Sequence, residues 1–271
     1  MESMMETING TTLGVTSHPF YPLEVEIANY LANEWSMQLL LAIFTAVCAT
    51  IFFGTKFMVN RAHPHLPTKE KAAIWWFILS GAIHLFFEGT FYPTQASGVR
   101  TGYFSLNHTR MGPAQDLFGQ LWKEYALSDS RYLTSDPFVL CMETVTAFTW
   151  GPLCFVVAAF ITTSHPLRHP LQIIVCVGQI YGLILYYATS MFDHYYKEVT
   201  YSRPEFLYFW GYYFFMNFIW MVFPGISSVR TIAKAFKALE KVDATLNHAN
   251  RVAKPNGDTN GHTNGFAKKS N

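Results

Sequence analysis

The chain has 271 residues, 51% of them hydrophobic and 17% aromatic but only 14% charged. Soluble domains carry about 25% charged residues, so an ordinary water-soluble globule is excluded. Nineteen basic and eighteen acidic side chains leave a formal net charge of +1, too weak a field to recruit nucleic acid or a strongly acidic partner. Mean hydropathy is only +0.15, which predicts apolar segments diluted by polar ends and loops.

In chain order, residues 1–32 form an N-terminal arm without a long apolar run or the basic-then-apolar order of a cleavable signal, so insertion is expected to begin with the first spanning helix. Trp35 to Val59 is uncharged until Lys56 and long enough to cross a hydrocarbon core of about 30 Å. After a basic, proline-broken loop, Ala72 to Tyr92 gives a second span holding His84 and Glu88. The long connection Pro93 to Asp136 contains LFGQLWKEYAL, whose helical spacing predicts an interfacial amphipathic helix. Pro137 opens a third span with Glu143, Leu171 to Phe192 is a fourth with Gln179, and Phe206 to Val229 is an aromatic-rich fifth with Asn217. The expected fold is therefore an all-α membrane protein, a five-transmembrane-helix bundle over 33–229. Residues 230–271 follow as a short basic amphipathic helix and a disordered tail whose Asn, Gly, Thr and Lys cannot bury a core.

Eight Lys or Arg lie beyond the fifth span, which places the C-terminus in the cytosol and, with five spans, the N-terminus on the lumenal side. Lys268 and Lys269 near the end fit a dilysine retrieval signal of the endoplasmic reticulum. The sequons at Asn9 and Asn107 are then lumenal. All four cysteines sit in apolar runs, so no disulfide framework is expected.

An ionisable side chain inside a span costs at least about 2.5 kcal/mol, which makes it a candidate for function. His84 and Glu88, four apart, share one helix face, and Glu143 with Thr146, three apart, share another. A pocket between those helices could collect two carboxyls, an imidazole and a hydroxyl. Asn217 and Trp220 face one way on the fifth span. Blander readings stand beside these: Glu88 and Glu143 lie near helix ends and could reach toward water, and Asn217 and Trp220 could serve interhelical hydrogen bonding and packing. His63 with His65 and His165 with His169 are too few for a membrane di-iron centre, and no phosphate loop, dinucleotide motif or serine-hydrolase elbow is present. No metal and no cofactor are expected. Carboxyls and an imidazole in an apolar, aromatic setting suit proton transfer to and from an alkene, through a carbocation that aromatic faces and a carboxylate stabilise.

The blocks GAIHLFFEG from Gly81, QLWKEYALSDSRY from Gln120, CMETVTAFTWGP from Cys141, HPLRHPLQ from His165, VGQIYG from Val177 and LYFWGYYFFMNFIWMVFPG from Leu207 resemble, in order, the emopamil-binding protein family of sterol 8,7-isomerases in the EXPERA superfamily. The resemblance implies a five-helix bundle of the endoplasmic-reticulum membrane, commonly a homodimer, with a sterol pocket entered from the lipid and open to cationic amphiphilic amines that mimic the carbocation. It also implies a shift of a ring double bond from the 8 to the 7 position. His84 and Glu88 would handle the proton at carbon 9, and Glu143 would face the cation at carbon 8. Thr146, Asn217 and Trp220 would line the pocket, with Tyr132 and Asp136 as further substrate-binding positions. Thr90 and the longer Pro93 to Asp116 stretch depart from the animal pattern, which keeps two alternatives open: an isomerase or cyclase of a terpenoid or other polycyclic lipid, and a non-catalytic sterol or lipid receptor.

Overall fold

A computed structural model describes residues 18–88, 92–93, 99–100 and 108–253. Asn9, Asn107, Thr90, the dilysine pair and the tail beyond Ala253 lie outside the described residues.

Local chemistry sets most helix starts. Ser36 caps α1 (Met37–Ala62) by accepting from the Leu39 amide, an orphan donor of the first turn. Its 26 residues extend about 39 Å at 1.5 Å per residue. Helix α2 (Thr68–Ala82) begins directly after Pro67 and runs into a π-helical turn, Ile83–Glu88. Asp116 caps α3 (Leu117–Ala126) through the Phe118 and Gly119 amides. Asp136 caps α4 (Pro137–Val145), where proline fits the first turn because its missing N–H had no partner to lose. A π-helical segment, Thr146–Trp150, joins α4 to α5 (Gly151–Thr162). Helix α6 (Arg168–Tyr196) runs 29 residues without a break, and a third π-helical segment, Leu207–Met216, leads into α7 (Asn217–Ala253). The only β structure among the described residues is an antiparallel pair, β1 (Tyr92–Pro93) with β2 (Val99–Arg100).

The molecule is thus a helical membrane protein in which four helices are long and apolar enough to span: Met37–Ala62, Pro137–Thr162, Arg168–Tyr196 and Leu207–Ala249. The second span, expected over Ala72 to Tyr92, falls on α2 and its π turn, which are not among the four, since Lys69, Glu70 and Lys71 occupy the first turn and Glu88 ends the π turn. Its polarity matches its position. Ile74, Trp76, Phe77, Ser80, Gly81, Ala82 and His84 are buried, and α2 packs between α1 and α5. By contrast α1 and α7 with the π segment before it turn large apolar side chains outward, among them Phe53, Phe57, Phe215 and Phe223, as a lipid-facing surface requires. Close approach of α2 to α5 depends on Gly81, where a Cβ would stand 3.0 Å from Cys154 Cβ and 3.1 Å from the Gly151 carbonyl.

Successive helices bring the segment before α1, the connection containing α3 and the loop after α6 to one end of the bundle. Leu31 N bonds Gly112 O at 3.0 Å, Ser130 N bonds Tyr201 O at 3.2 Å, and Arg203 N bonds Leu127 O at 3.0 Å. Two expectations change here. The described part of the N-terminal arm is no appendage, because Phe20 and Ile27 enter the same core as Met111, Trp122 and Tyr132. Helix α3 does not lie as a half-exposed raft: Gln120, Leu121, Trp122, Lys123 and Glu124 are all buried, roofed by that arm. Lys123 Nζ donates to Leu31 O at 2.8 Å, and burial lowers its pKa to about 8. Beneath α3, Asp129 grips Arg131 in a bidentate pair, while Arg131 also bonds Thr189 of α6 at 3.0 Å. A second core fills the interior between α2, α5 and α6, and Trp220 packs against both.

The chain divides into two compact units at Val229 and Arg230. Where a separate amphipathic helix was expected after residue 230, α7 stays helical to Ala253, since no glycine or proline falls between Val229 and Ala253 to stop it.

Candidate active site

The bundle encloses a cavity of about 360 Å³, lined mainly by aromatic and aliphatic side chains and within the size range of small-molecule sites. Among the polar groups that face it are side chains from four elements. His84 and Glu88 sit on the π-helical turn after α2, and Glu143 and Thr146 straddle the junction of α4 with its π segment. Gln179 projects from α6, and Asn217 and Trp220 from the start of α7. Each of the three π segments adjoins sequence-predicted site residues. π-bulges concentrate at functional sites because they re-aim side chains that ordinary helical register would turn elsewhere.

The protonation pattern of His84 follows from its partners. Trp220 Nε1 donates to His84 Nε2 at 3.0 Å, and an indole N–H can only donate. His84 Nε2 is therefore an acceptor and the ring proton resides on Nδ1. That N–H points at both oxygens of Glu88, at 3.0 and 2.9 Å. Gln179 Nε2 stands 3.1 Å from the same His84 Nε2 and donates to Ser80 Oγ at 2.9 Å, fixing the imidazole from behind. Its Oε1 is buried without a partner among the described residues.

Glu143, 6% exposed, accepts from the Tyr132 hydroxyl at 2.6 Å and interacts side chain to side chain with Glu88. The i,i+4 pair read from the sequence is thus one half of a larger group, completed by Glu143 from another helix. Thr146 lines the cavity but spends its proton on Met142 O at 2.9 Å, so it offers lone pairs only. Asn217 donates to Tyr125 Oη at 2.8 Å and to Tyr213 O at 2.7 Å. It satisfies backbone loosened by the π segment and holds a cavity-lining phenol. Asp136 does not line the cavity; it is the cap of α4. Gln179, Tyr125 and Trp122 had no assigned role. Gln179 was signalled by being a lone amide in an uncharged span, whereas Tyr125 and Trp122 carry no local mark that sets them apart from packing aromatics. Trp122 stacks on Phe87 at 4.6 Å and donates to Phe87 O at 3.1 Å, tying the roof helix to the turn that bears Glu88.

Fold and site together define a polytopic membrane protein whose helices enclose an apolar pocket with a coupled imidazole and two carboxyls. Residues 117–231 match the family described as EBP: EXPERA (EXPanded EBP superfamily). The chain is 35% identical over 247 residues to the 3-beta-hydroxysteroid-Delta(8),Delta(7)-isomerase of Rattus norvegicus, covering 90% of this chain and 97% of the rat protein. It is 33% identical over 237 residues to the Mus musculus protein of the same name, covering 87% and 96%. A more distant relative, isomeliandiol synthase of Melia azedarach, is 27% identical over 161 residues, 59% of this chain and 68% of that protein. The chain belongs to the EBP family of the EXPERA superfamily.

Proposed function

We propose that this protein is a sterol isomerase that moves a ring double bond of a 3β-hydroxysteroid from the 8 to the 7 position without redox change. The observation that carries the reading is the joined group His84, Glu88 and Glu143 in an apolar cavity, in a chain that aligns with animal enzymes of that name over nearly their full length. Two carboxyls in contact at low dielectric hold one proton between them, because like charges that close are costly. In the reactive state of this reading the shared proton sits on the Glu88 side, and Glu143, held by the short Tyr132 bond, is the ionised member. Glu88 then gives its proton to carbon 9 of the alkene, the cation at carbon 8 faces Glu143 and Trp220, and a proton from carbon 7 returns to the carboxyl pair. Atoms and charge balance with no cofactor consumed. His84 keeps Glu88 in place with its Nδ1–H throughout, because Trp220 occupies the other nitrogen.

The same reading keeps the second span expected from the sequence, Ala72 to Tyr92, as a fifth span, and residues 33–229 as the catalytic membrane domain. It sets the protein in the endoplasmic-reticulum membrane as a homodimer with a cytosolic C-terminus, and makes the pocket receptive to cationic amphiphilic amines. Thr146, Asn217, Trp220 and Tyr132 are its lining groups, and Asp136 acts only by fixing α4. A related reaction on a terpenoid is a second reading, favoured by the match to isomeliandiol synthase; the longer, closer alignment with the animal isomerases ranks it below. The test is expression in cells lacking sterol isomerase, with sterols profiled by mass spectrometry. Conversion of 8-unsaturated to 7-unsaturated sterols is expected. Persistence of the 8-unsaturated sterols while folded protein is present in the membrane would overturn the proposal.

A further inference from the structure

The proposed mechanism uses two carboxyls of the cavity, yet a third lines it. Glu124, on α3, is only 8% exposed and faces the same space. It stands apart from the acid–base group: its hydrogen-bonding partner among the described residues is the Tyr212 hydroxyl, at a long 3.4 Å on one oxygen, and the charge nearest in effect is Arg203. Arg203 is itself committed to Glu205 and lies over the Tyr208 ring. Burial raises the Glu124 pKa, against the opposing pull of Tyr212 and Arg203.

A carboxyl that lines an apolar cavity with one long hydrogen bond keeps acceptor capacity facing that space, which a ligand's donor can fill. A wholly hydrocarbon ligand would leave that capacity unused. An amphipathic polycyclic lipid with a single hydroxyl would use it while its rings fill the apolar remainder. Resting on the isomerase reading, we infer that Glu124, helped by Tyr212, is the subsite that binds the substrate's ring hydroxyl and so sets which carbon of the fused rings meets Glu88. Two polar sites separated by an apolar stretch orient a rigid ligand in one sense only. A reversed ligand would leave Glu124 unpaired.

The test is equilibrium binding to the purified full-length protein in detergent micelles, with three probes: a 3β-hydroxy sterol unsaturated at position 8, its 3-methyl ether, which cannot donate, and the 3-deoxy analogue, which adds no bulk. The wild type is expected to bind the alcohol roughly tenfold or more tighter than either analogue, the worth of a hydrogen bond to a charged group. Glu124→Leu should bring that ratio close to one, and Glu124→Gln, which keeps a neutral acceptor, should give an intermediate ratio. A wild type that binds all three alike overturns the inference whatever the variants do, as does an unchanged ratio in Glu124→Leu. Binding is read without turnover, so failure of the isomerase reading shows separately, as no double-bond shift by the wild type in the cellular assay.

Discussion

Glu143 and Trp220 are the side chains whose roles separate most cleanly by substitution. Glu143→Gln keeps shape and the Tyr132 contact but removes the charge that faces the cation. Turnover should fall by roughly 10²–10⁴-fold, the span of a positioned acid–base group, while membrane levels of the protein stay at wild type; sterol conversion per unit of immunodetected protein measures it. Retained activity would take Glu143 out of the chemistry. Trp220→Phe keeps an aromatic face over the cavity and deletes the N–H that donates to His84 Nε2. Loss of one hydrogen bond of about 1–1.5 kcal/mol predicts a kcat lower by roughly tenfold, because His84 Nε2 is then held by Gln179 alone. Unchanged kcat would mean that Trp220 contributes only its ring face. At this scale the sequence was informative in part. The spacing of His84 and Glu88 is a local fact that any helix translates into proximity, whereas Tyr132 reaches Glu143 only because a 3₁₀ turn, Ser130–Tyr132, precedes α4.

Elements hold the site through close contacts that leave no slack. The indole of Trp150, a cavity-lining residue, lies so near α6 that a Cβ on Gly178 would fall 2.4 Å from its Cζ2, while a Cβ on Gly182, one turn on, meets nothing within 4 Å. Gly178→Ala must displace the indole and should destabilise the protein by about 1–3 kcal/mol, the usual cost of overpacking. Gly182→Ala should instead stabilise by about 0.5–1 kcal/mol, since alanine loses less backbone entropy than glycine within a helix. Thermal unfolding of both variants in one detergent checks the pair; equal behaviour would refute the packing argument. Helix existence was legible from apolar runs and from Pro137 at the start of one of them. The three π segments were not, because a shift from i→i+4 to i→i+5 bonding arises from packing between helices and leaves no mark in composition.

For the molecule as a whole, an amphiphilic amine carrying an apolar ring system tests the cavity as a carbocation site. At a concentration one hundred times its Kd, such a ligand should add about 2.7 kcal/mol to the stability of the protein and raise its midpoint of unfolding. Glu143→Gln should lose most of that gain, because the cation then lacks its counter-charge. A neutral ether of the same ring system should stabilise less. Failure of the amine to stabilise at concentrations that leave micelles intact would argue against a cation site. The sequence alone determined the solvent of this protein, four of its long apolar helices and the polar side chains that do not belong in lipid, because hydropathy and helical spacing act over neighbouring residues. Tertiary structure decided what those side chains do together. Only packing could show that Lys69, Glu70 and Lys71 open a helix that is enclosed between α1 and α5, and that the N-terminal segment and α3 roof the cavity. Only packing could commit one histidine nitrogen to Trp220. Each of these rests on contacts between residues far apart in the chain, which no local pattern encodes.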